Sequence, residues 1–425
     1  MEGDLPEGRE TDSSQIRSAR PAREWPAPLR SLRHRDFRRF WFGLIISVMG
    51  TWMQMAAQAW LVYDLTDSPL ALGVVGACGT LPMLFFSLPA GVVADRLSKR
   101  NILLVTQSLA MMQALALAAL TYTDVVRVWH VMVLAGFLGT ANALDMPTRH
   151  AMVIELAGRE DLLNAVSLNS SAFNTGRIVG PAVAGVLIAA AGTAGCFLIN
   201  GLTFIALIVA LTRIRPRPPR KEMQGPMIPQ IRNGLAWAKG QPLVRGLLAM
   251  IAVASVFGMS YRTLLPVFAR DVFHTGAEGY GLLMSTYAAG AVSSAVLLTA
   301  LGHRWRVGRL VTAGSFFFPV ALIAVALSPR YGVAMASLFL TGMGMMLFNA
   351  VANTMLQRAS PDALRGRVMS MRTLLFAGMM PLGNLQVGAL GEWLGPQAAV
   401  GIGGATCLVA ALVAWWRLPR LRQSE

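Results

Sequence analysis

One helix-length apolar stretch of the chain carries polar residues at a regular spacing. Ser167, Ser170, Asn174, Arg177 and Pro181 follow one another at intervals of three or four residues, which places them on one stripe of an α-helix. A guanidinium in the middle of such a stretch costs several kcal/mol if it faces lipid, so Arg177 is expected to face a wet cavity or the protein interior. Its chemistry there would be the binding of an anion or a hydrogen-bond acceptor.

Three further apolar stretches carry similar polar stripes. They are Ser47, Thr51, Gln54 and Gln58; Ser255, Gly258, Arg262 and Pro266; and Met346, Asn349, Asn353 and Gln357. Polar stripes on four helices predict a shared aqueous cavity, and the alternative is that each polar group joins two helices by hydrogen bonds. The candidate substrate-contacting residues are Gln54, Gln58, Asn142, Asn174, Arg177, Arg262, Asn349 and Asn353.

Titratable groups are scarce inside the apolar stretches. Asp145 is the candidate for carrying a coupling proton, and a structural ion pair with Arg149 is the alternative interpretation. The histidines are expected in tails or loops, and neither a set of metal ligands nor the nucleotide-binding pattern G-x-x-x-x-G-K-[ST] is recognised. These observations predict no metal, no cofactor and no catalytic residue, and they argue against an enzyme embedded in the membrane.

The composition indicates a membrane protein. Of 425 residues, 55% are hydrophobic and only 14% are charged, against about 25% charged residues in soluble domains. The net charge of +16 arises from short basic runs between apolar stretches, so membrane topology explains it better than a nucleic-acid partner. Cys78, Cys196 and Cys407 lie inside apolar segments without metal-ligand spacing, as expected of small apolar residues in helices.

Twelve apolar segments are long enough to cross a bilayer. They span residues 39–62, 70–94, 102–122, 129–146, 164–191 and 195–211, then 244–268, 279–301, 310–327, 333–356, 368–390 and 397–416. The predicted organisation is a disordered tail (1–30), a six-helix bundle (31–211), a linker (212–243), a second six-helix bundle (244–416) and a short tail (417–425). The short motifs at 157–162 and 359–364 echo each other about half a chain apart, which favours pseudo-symmetric halves.

Charge in the loops predicts the orientation. Alternate loops and both flanks are rich in Arg and Lys, as at 96–100, 213–221 and 417–422, whereas the intervening loops carry mostly Asp and Glu. The positive-inside rule then places both termini and the linker in the cytoplasm. We expect a multi-pass protein of the inner membrane, monomeric in its lipid bilayer.

Two motifs carry a resemblance to a known family. Gly91-Val-Val-Ala-Asp95-Arg96-Leu-Ser-Lys99-Arg100 resembles the G-x-x-x-D-R-x-x-[RK]-[RK] signature of the major facilitator superfamily. Gly176-Arg-Ile-Val-Gly180-Pro181-Ala-Val-Ala-Gly185 is similar to the G-x-x-x-G-P-x-x-x-G motif of its drug-exporting antiporters. The segments at 142–149 and 354–367 resemble the branch of enterobactin exporters.

The resemblance implies a secondary transporter with two six-helix bundles that exports a drug, siderophore or metabolite by alternating access in exchange for protons. We expect Asp95 and Arg96, with Lys99 and Arg100, to latch the outward-open state. Gly176, Gly180, Pro181 and Gly185 would form a tightly packed, kinked hinge. The fourth helix lacks the arginine that many proton-coupled exporters carry, so the usual proton relay does not transfer. An importer or lysophospholipid flippase on the same fold is the alternative, ahead of an enzyme or a non-transporting sensor.

Overall fold

The computed structural model describes residues 26–158, 160–215, 237–301 and 307–417, and every regular element in these ranges is helical. The predicted tails lie outside the described residues except for 26–30 and Arg417, as does most of the predicted linker. Residues 27–30, which the sequence assigned to a disordered tail, belong instead to a 3-10 helix, Ala27–Arg33.

The long helices follow the predicted segments closely. They are α1 (Arg35–Thr66), α2 (Pro69–Arg96), α3 (Lys99–Tyr122), α4 (Val128–Ala157), α5 (162–191), α6 (193–212), α7 (Pro242–Val272), α8 (Gly276–Leu301), α9 (Val307–Ala326), α10 (Tyr331–Ala359), α11 (Asp362–Ala377 and Met380–Leu394) and α12 (Pro396–Arg417). Two of them are irregular: α7 contains π and 3-10 turns between Ala254 and Leu264, and α11 breaks after Ala377.

The described helices amount to twelve membrane spans. Ten are long and apolar enough to cross a bilayer, and one of these ten, Leu162–Thr212, contains two spans. It is interrupted at Gly192, whose φ of 68° lies in the left-handed region that glycine adopts without strain. The remaining span is α4, a 30-residue helix packed against α2 and α3. The all-helical, twelve-span fold predicted from the sequence is therefore confirmed.

The spans form two halves. In the first half, α1 packs against the α5–α6 pair and α2 packs against α4, while α3 contacts both the α5–α6 pair and α4. In the second half α10 packs between α8 and α9, and α9 contacts α12. The halves meet mainly where α2 faces α11 and where α5 faces α8. We call the side of the loops at 97–98, 158–161 and 360–361 the basic side, and the side of the loops at 67–68, 123–127 and 273–275 the opposite side.

An N-terminal arm, residues 27–34, docks on the loop between α4 and α5. The carboxylate of Asp161 is 1% exposed and binds Arg30 at 3.1 Å, Arg33 at 2.8 Å and His34 at 2.8 Å. Burial alone would raise the pKa of Asp161, but the hydrogen bond with His34 and the charges of Arg33 and Arg30 outweigh it and hold that pKa below its ordinary value. This carboxylate therefore ties the chain before α1 to the start of α5.

The docking of the arm is expected to resist mild acid. A carboxylate whose pKa is lowered by folding contributes stability above its unfolded value, near 3.8, and loses that contribution as the pH falls through the lower folded value. Hydrogen exchange at the Ser31 amide, which donates to Asn164 Oδ1 at 2.8 Å, should stay protected from pH 7 to about pH 4 after correction for intrinsic rates. Asp161→Asn should expose this amide at neutral pH. Wild-type protection that disappears between pH 7 and pH 5 would contradict the prediction.

Candidate functional site

The two halves are in close contact towards the opposite side. On α8, a Cβ atom at Gly281 would lie 2.3 Å from the carbonyl oxygen of Pro181, and on α2 a Cβ at Gly73 would lie 2.5 Å from that of Asn384. Ser285 also donates a hydrogen bond to the carbonyl of Ile178 at 2.6 Å across the same interface. Glycine at these two positions lets backbones of different halves approach more closely than any side chain would allow.

A polar network closes the same side between the halves. Arg270 at the end of α7 binds Asp67 after α1 at 2.8 Å, with Asp64 at 4.0 Å. The hydroxyl of Tyr63 on α1 donates to Asp271 on α7. We call these five residues, together with Ser68, Leu70 and Glu392, the opposite-side network.

The second part of the network joins α2 to α11. Glu392 accepts hydrogen bonds from the Ser68 hydroxyl at 2.7 Å and from the Leu70 amide at 3.1 Å. Because the Leu70 amide lies in the first turn of α2, it has no partner within the helix, and the Glu392 carboxylate satisfies it beside the Ser68 cap on Ala71. Both parts of the network would have to break for the opposite side to open.

Towards the basic side the halves enclose a cavity of about 500 Å³ between α2, α4 and α11. It is lined by Met83, Leu84, Ala143, Met146, Pro147, His150, Arg367, Met369, Ser370, Met371, Thr373, Leu374, Ala377 and Gly378. Four methionines give this wall a soft apolar character that can adapt to different shapes. Arg367 and His150 add polar groups from different halves, and His150 and Ser370 are exposed.

Most of the residues that line this cavity were not predicted from the sequence. His150 was expected in a tail or loop, but α4 continues to Ala157 rather than ending near residue 146, and this places His150 on the helix. Ala143, Met146, Pro147 and His150 follow helical spacing, and that stripe was the available signal. It was obscured because the charged residues at the end of α4 made the helix look like a loop.

The predicted cavity residues Arg177 and Arg262 lie on different sides of the interface between the halves, Arg177 on α5 and Arg262 on α7. Arg177 lies midway along α5, where it donates to Asn174 Oδ1 at 3.0 Å and keeps a buried Nε without a hydrogen-bond partner. Arg262 donates to the Met259 carbonyl at 3.3 Å, and its guanidinium lies 5.7 Å from the ring centre of Tyr287. Tyr287 lies two residues after Ser285, whose hydroxyl donates to the Ile178 carbonyl next to Arg177. The contact of α5 with α8 therefore brings Asn174, Arg177 and Arg262 into one region of the interface.

The other predicted cavity residues are placed in different surroundings. Gln54 is buried inside the first half, where it donates to Gln113 at 2.8 Å and accepts from Asn200 at 2.6 Å, so in this conformation it joins α1, α3 and α6. Asn349 accepts a hydrogen bond from Arg372 on α11. The remaining three are half-buried and form no side-chain hydrogen bond within the described ranges: Gln58, Asn142 and Asn353.

Asp145, the candidate coupling residue, lies in a buried polar cluster of the first half. Its carboxylate pairs with Arg149 one turn along α4 and accepts hydrogen bonds from Thr106 at 2.9 Å and Gln107 at 2.7 Å on α3. Gln107 in turn accepts a hydrogen bond from Ser47 on α1 at 3.3 Å. Asp145 therefore connects α1, α3 and α4 directly behind the stripe of α4 that lines the cavity.

The predicted latch on the basic side is described only in part. The structure does not describe the surroundings of Gly91, Asp95 and Arg96. Lys99 binds Glu155 at 3.1 Å, and Arg100 donates to the Leu211 carbonyl at 2.8 Å. Both contacts lie within the first half, to α4 and α6, so these two basic residues connect helices of one bundle in this conformation.

The glycines of the α5 motif pack in two directions. A Cβ at Gly176 would lie 2.7 Å from Val48 Cγ1, and one at Gly180 would lie 2.6 Å from the Cβ of Trp52, both on α1. A Cβ at Gly185 would instead lie 2.8 Å from the Ala277 carbonyl on α8. With the Pro181 contact to Gly281, the opposite-side end of this motif forms the interface with the second half, while its beginning packs inside the first half.

Twelve membrane-spanning helices in two halves, with a cavity between them on one side and close contact on the other, define a transporter of the major facilitator type. The chain belongs to the transmembrane secretion effector family, whose model matches residues 26–425. It is therefore a multi-pass membrane transporter and not an enzyme. The described residues contain no cluster of His, Cys, Asp or Glu that could hold a metal ion.

Curated relatives of similar length are bacterial transporters. The chain is 26% identical to the staphyloferrin A transporter of Staphylococcus aureus, over 88% of this chain and 94% of the relative. It is 27% identical to the multidrug efflux pump Tap of Mycolicibacterium fortuitum, over 90% and 96%, and 24% identical to the enterobactin exporter EntS of Citrobacter koseri, over 92% and 93%. The nucleoside transporter NupG has the same fold, with a TM-score of 0.74 at 14% identity over 90% of this chain and 98% of that one.

Proposed function

We propose that the protein exports small amphipathic molecules from the cytoplasm by alternating access, with the basic side in the cytoplasm. The observation that carries this proposal is the cavity between the halves on the basic side, combined with the closed opposite side. In an alternating-access cycle this arrangement is the state that receives substrate from the basic side. The named activities of the relatives, which include drug efflux and siderophore export, agree with outward transport.

The proposed orientation of the protein in the membrane rests on the distribution of charge. Basic residues concentrate on the basic side in loops and flanks, and this asymmetry is the strongest known determinant of membrane topology. Both termini and the linker at 212–243 would then lie in the cytoplasm. The 500 Å³ cavity is large enough for a small organic molecule, and its methionine-rich wall suits substrates with an apolar body.

Energy for export would come from the proton gradient, with Asp145 as the coupling group. A proton on Asp145 would remove the charge that holds Arg149, and the same carboxylate holds α3 against α4 behind the cavity wall. Proton binding would therefore change the packing of a helix that lines the substrate path.

Transport in inside-out membrane vesicles tests the proposal. Vesicles containing the protein should accumulate at least one member of a drug and siderophore panel when their interior is acidified, and a protonophore should abolish the accumulation. Vesicles from cells without the protein provide the control. Uptake into right-side-out vesicles, with none into inside-out vesicles, would instead identify an importer.

Weakening the opposite-side network should favour the outward-open state. Arg270→Gln removes the charge that binds Asp67, and because exposed pairs of this kind contribute about 0.2–1 kcal/mol, the balance between states should shift up to about fivefold. Hydrogen exchange in residues 268–275 should increase. The matched control is Arg330→Gln, an exposed arginine on the same side that lies within one half. Equal exchange in both variants would rule out a closing role for Arg270.

A further inference from the structure

Among the described residues, two cations at the interface between the halves, Arg177 and Arg262, have no acidic partner. The titratable groups that act electrostatically on Arg177 are Tyr287, Arg262 and Tyr261, and none of these is a carboxylate. Arg177 belongs to the first half and Arg262 to the second. The hydrogen bond from Ser285 to the Ile178 carbonyl, with the Arg262 guanidinium 5.7 Å from the ring centre of Tyr287, brings the two like charges near each other where the halves meet. In the described spans, the buried carboxylate Asp145 already pairs with Arg149.

This arrangement is unfavourable without a counter-charge. Two guanidinium groups at the middle of a membrane protein repel each other, and each loses part of its hydration. The buried Nε of Arg177 lacks a partner, which is a further cost because buried donors are normally satisfied. An anion between the two guanidinium groups would supply the missing charge and the missing acceptor together.

The surrounding side chains hold the two cations in position. Asn174 accepts from Arg177 at 3.0 Å, and the Met259 carbonyl accepts from Arg262 at 3.3 Å, which leaves other N–H groups of both guanidinium groups for a ligand. A carboxylate has two oxygens that can each accept from a different guanidinium group. A carboxylate fits this pair better than a neutral acceptor does, because only a charged group offsets the repulsion.

The site also lies at the depth of the inner end of the cavity. Arg177 is 15 residues from the start of α5, or about 22 Å along its axis, and Gly378 of the cavity wall is about 24 Å from the start of α11. A ligand whose carboxylate is held at this depth would reach the methionine-lined wall of α2, α4 and α11 by extending its apolar part sideways from α5 and α7.

We propose that an organic anion with an apolar body binds with a carboxylate between Arg177 and Arg262, and that this anion draws the two halves together. The substrate class is thus an amphipathic carboxylate. The inference deepens the proposed export function and rests on it for transport, whereas binding at the site can be measured separately.

The probe is dodecanedioate, a dicarboxylate with a twelve-carbon chain, compared with its neutral dimethyl ester. Binding to the full-length protein purified in a non-ionic detergent is measured by equilibrium dialysis. The dianion should bind the wild-type protein at least tenfold more tightly than the ester. Arg177→Gln and Arg262→Gln should each weaken binding of the dianion about tenfold or more and leave the ester unaffected, whereas Arg177→Lys should retain part of the affinity and Arg330→Gln all of it.

Charge reversal provides a readout that does not depend on ligand affinity alone. Arg262→Glu would give Arg177 a fixed counter-charge, so this variant should melt at a higher temperature than the wild type and should no longer be stabilised by dodecanedioate. Lower thermal stability of Arg262→Glu, equal binding of dianion and ester, or unchanged affinity in the glutamine variants would each overturn the site. Anion binding without export in vesicles would reject the proposed export function and leave the site in place.

Discussion

Replacing Asp145 by asparagine is expected to lower the free energy of unfolding by about 3–5 kcal/mol, the cost typical of leaving one partner of a buried ion pair without its counter-charge. Asp145 is 3% exposed and Arg149 is its ion-pair partner, and the Nε of Arg149 is already buried without a hydrogen bond. Asparagine keeps the shape and can still accept from Thr106 or Gln107, so the loss should come from charge and not from packing.

The double variant Asp145→Asn with Arg149→Gln separates these two causes. Removing both charges should recover most of the lost stability, because two neutral amides can hydrogen-bond where an isolated guanidinium is unfavourable. Thermal unfolding of the purified single and double variants gives the comparison. A double variant as unstable as Asp145→Asn alone would show that the pair is not what stabilises α4 in this region.

The same variants test Asp145 as the coupling group. If Asp145 carries the transported proton, the stable double variant should lose proton-driven accumulation while still allowing substrate to equilibrate across the membrane. If Asp145 only supports the fold, the double variant should keep proton-driven export. Vesicle assays with matched amounts of protein distinguish the two results.

A valine at Gly281 should reduce export about tenfold or more in a protein that still folds. A Cβ at this position would lie 2.3 Å from the Pro181 carbonyl oxygen, and because the clashing atom belongs to the backbone, no side-chain rotation relieves it. Overpacking of this kind costs typically 1–3 kcal/mol, and 1.4 kcal/mol corresponds to a tenfold change in an equilibrium. This cost falls only on the conformation in which α5 and α8 are in contact.

The matched control is Gly332→Val. Gly332 lies at the start of α10 on the same side of the membrane, and a Cβ there would meet no atom within 4 Å. Gly281→Val should increase hydrogen exchange near the α7–α8 loop at residues 273–275, while Gly332→Val should export and exchange like the wild type. Full export by Gly281→Val would show that close contact of α5 and α8 is not needed in the cycle.

Local properties of the chain were sufficient to predict the number of the spans, and they also predict a direction for each of them. A span requires a run of apolar residues, and sidedness follows from the basic loops, so both are visible in the sequence without knowledge of packing. The end of α4 was placed too early because Arg149 and Glu155 look like loop residues until their partners, Asp145 on α4 and Lys99 on α3, are known.

Helical spacing could place residues on one stripe, but only the tertiary structure decided what each stripe faces. Gln54 and Arg177 belong to similar stripes, yet Gln54 is satisfied inside the first half whereas Arg177 lies where α5 contacts the second half. The wall formed by α2, α4 and α11 likewise depends on how residues far apart in the chain come together. The sequence by itself determined which segments enter the membrane, because burial in lipid is a property of each segment. The cavity, the opposite-side network and the position of Arg177 and Arg262 at one interface were decided by packing between segments, because a side chain's partner is set by the helix opposite it and not by its own neighbours in the chain.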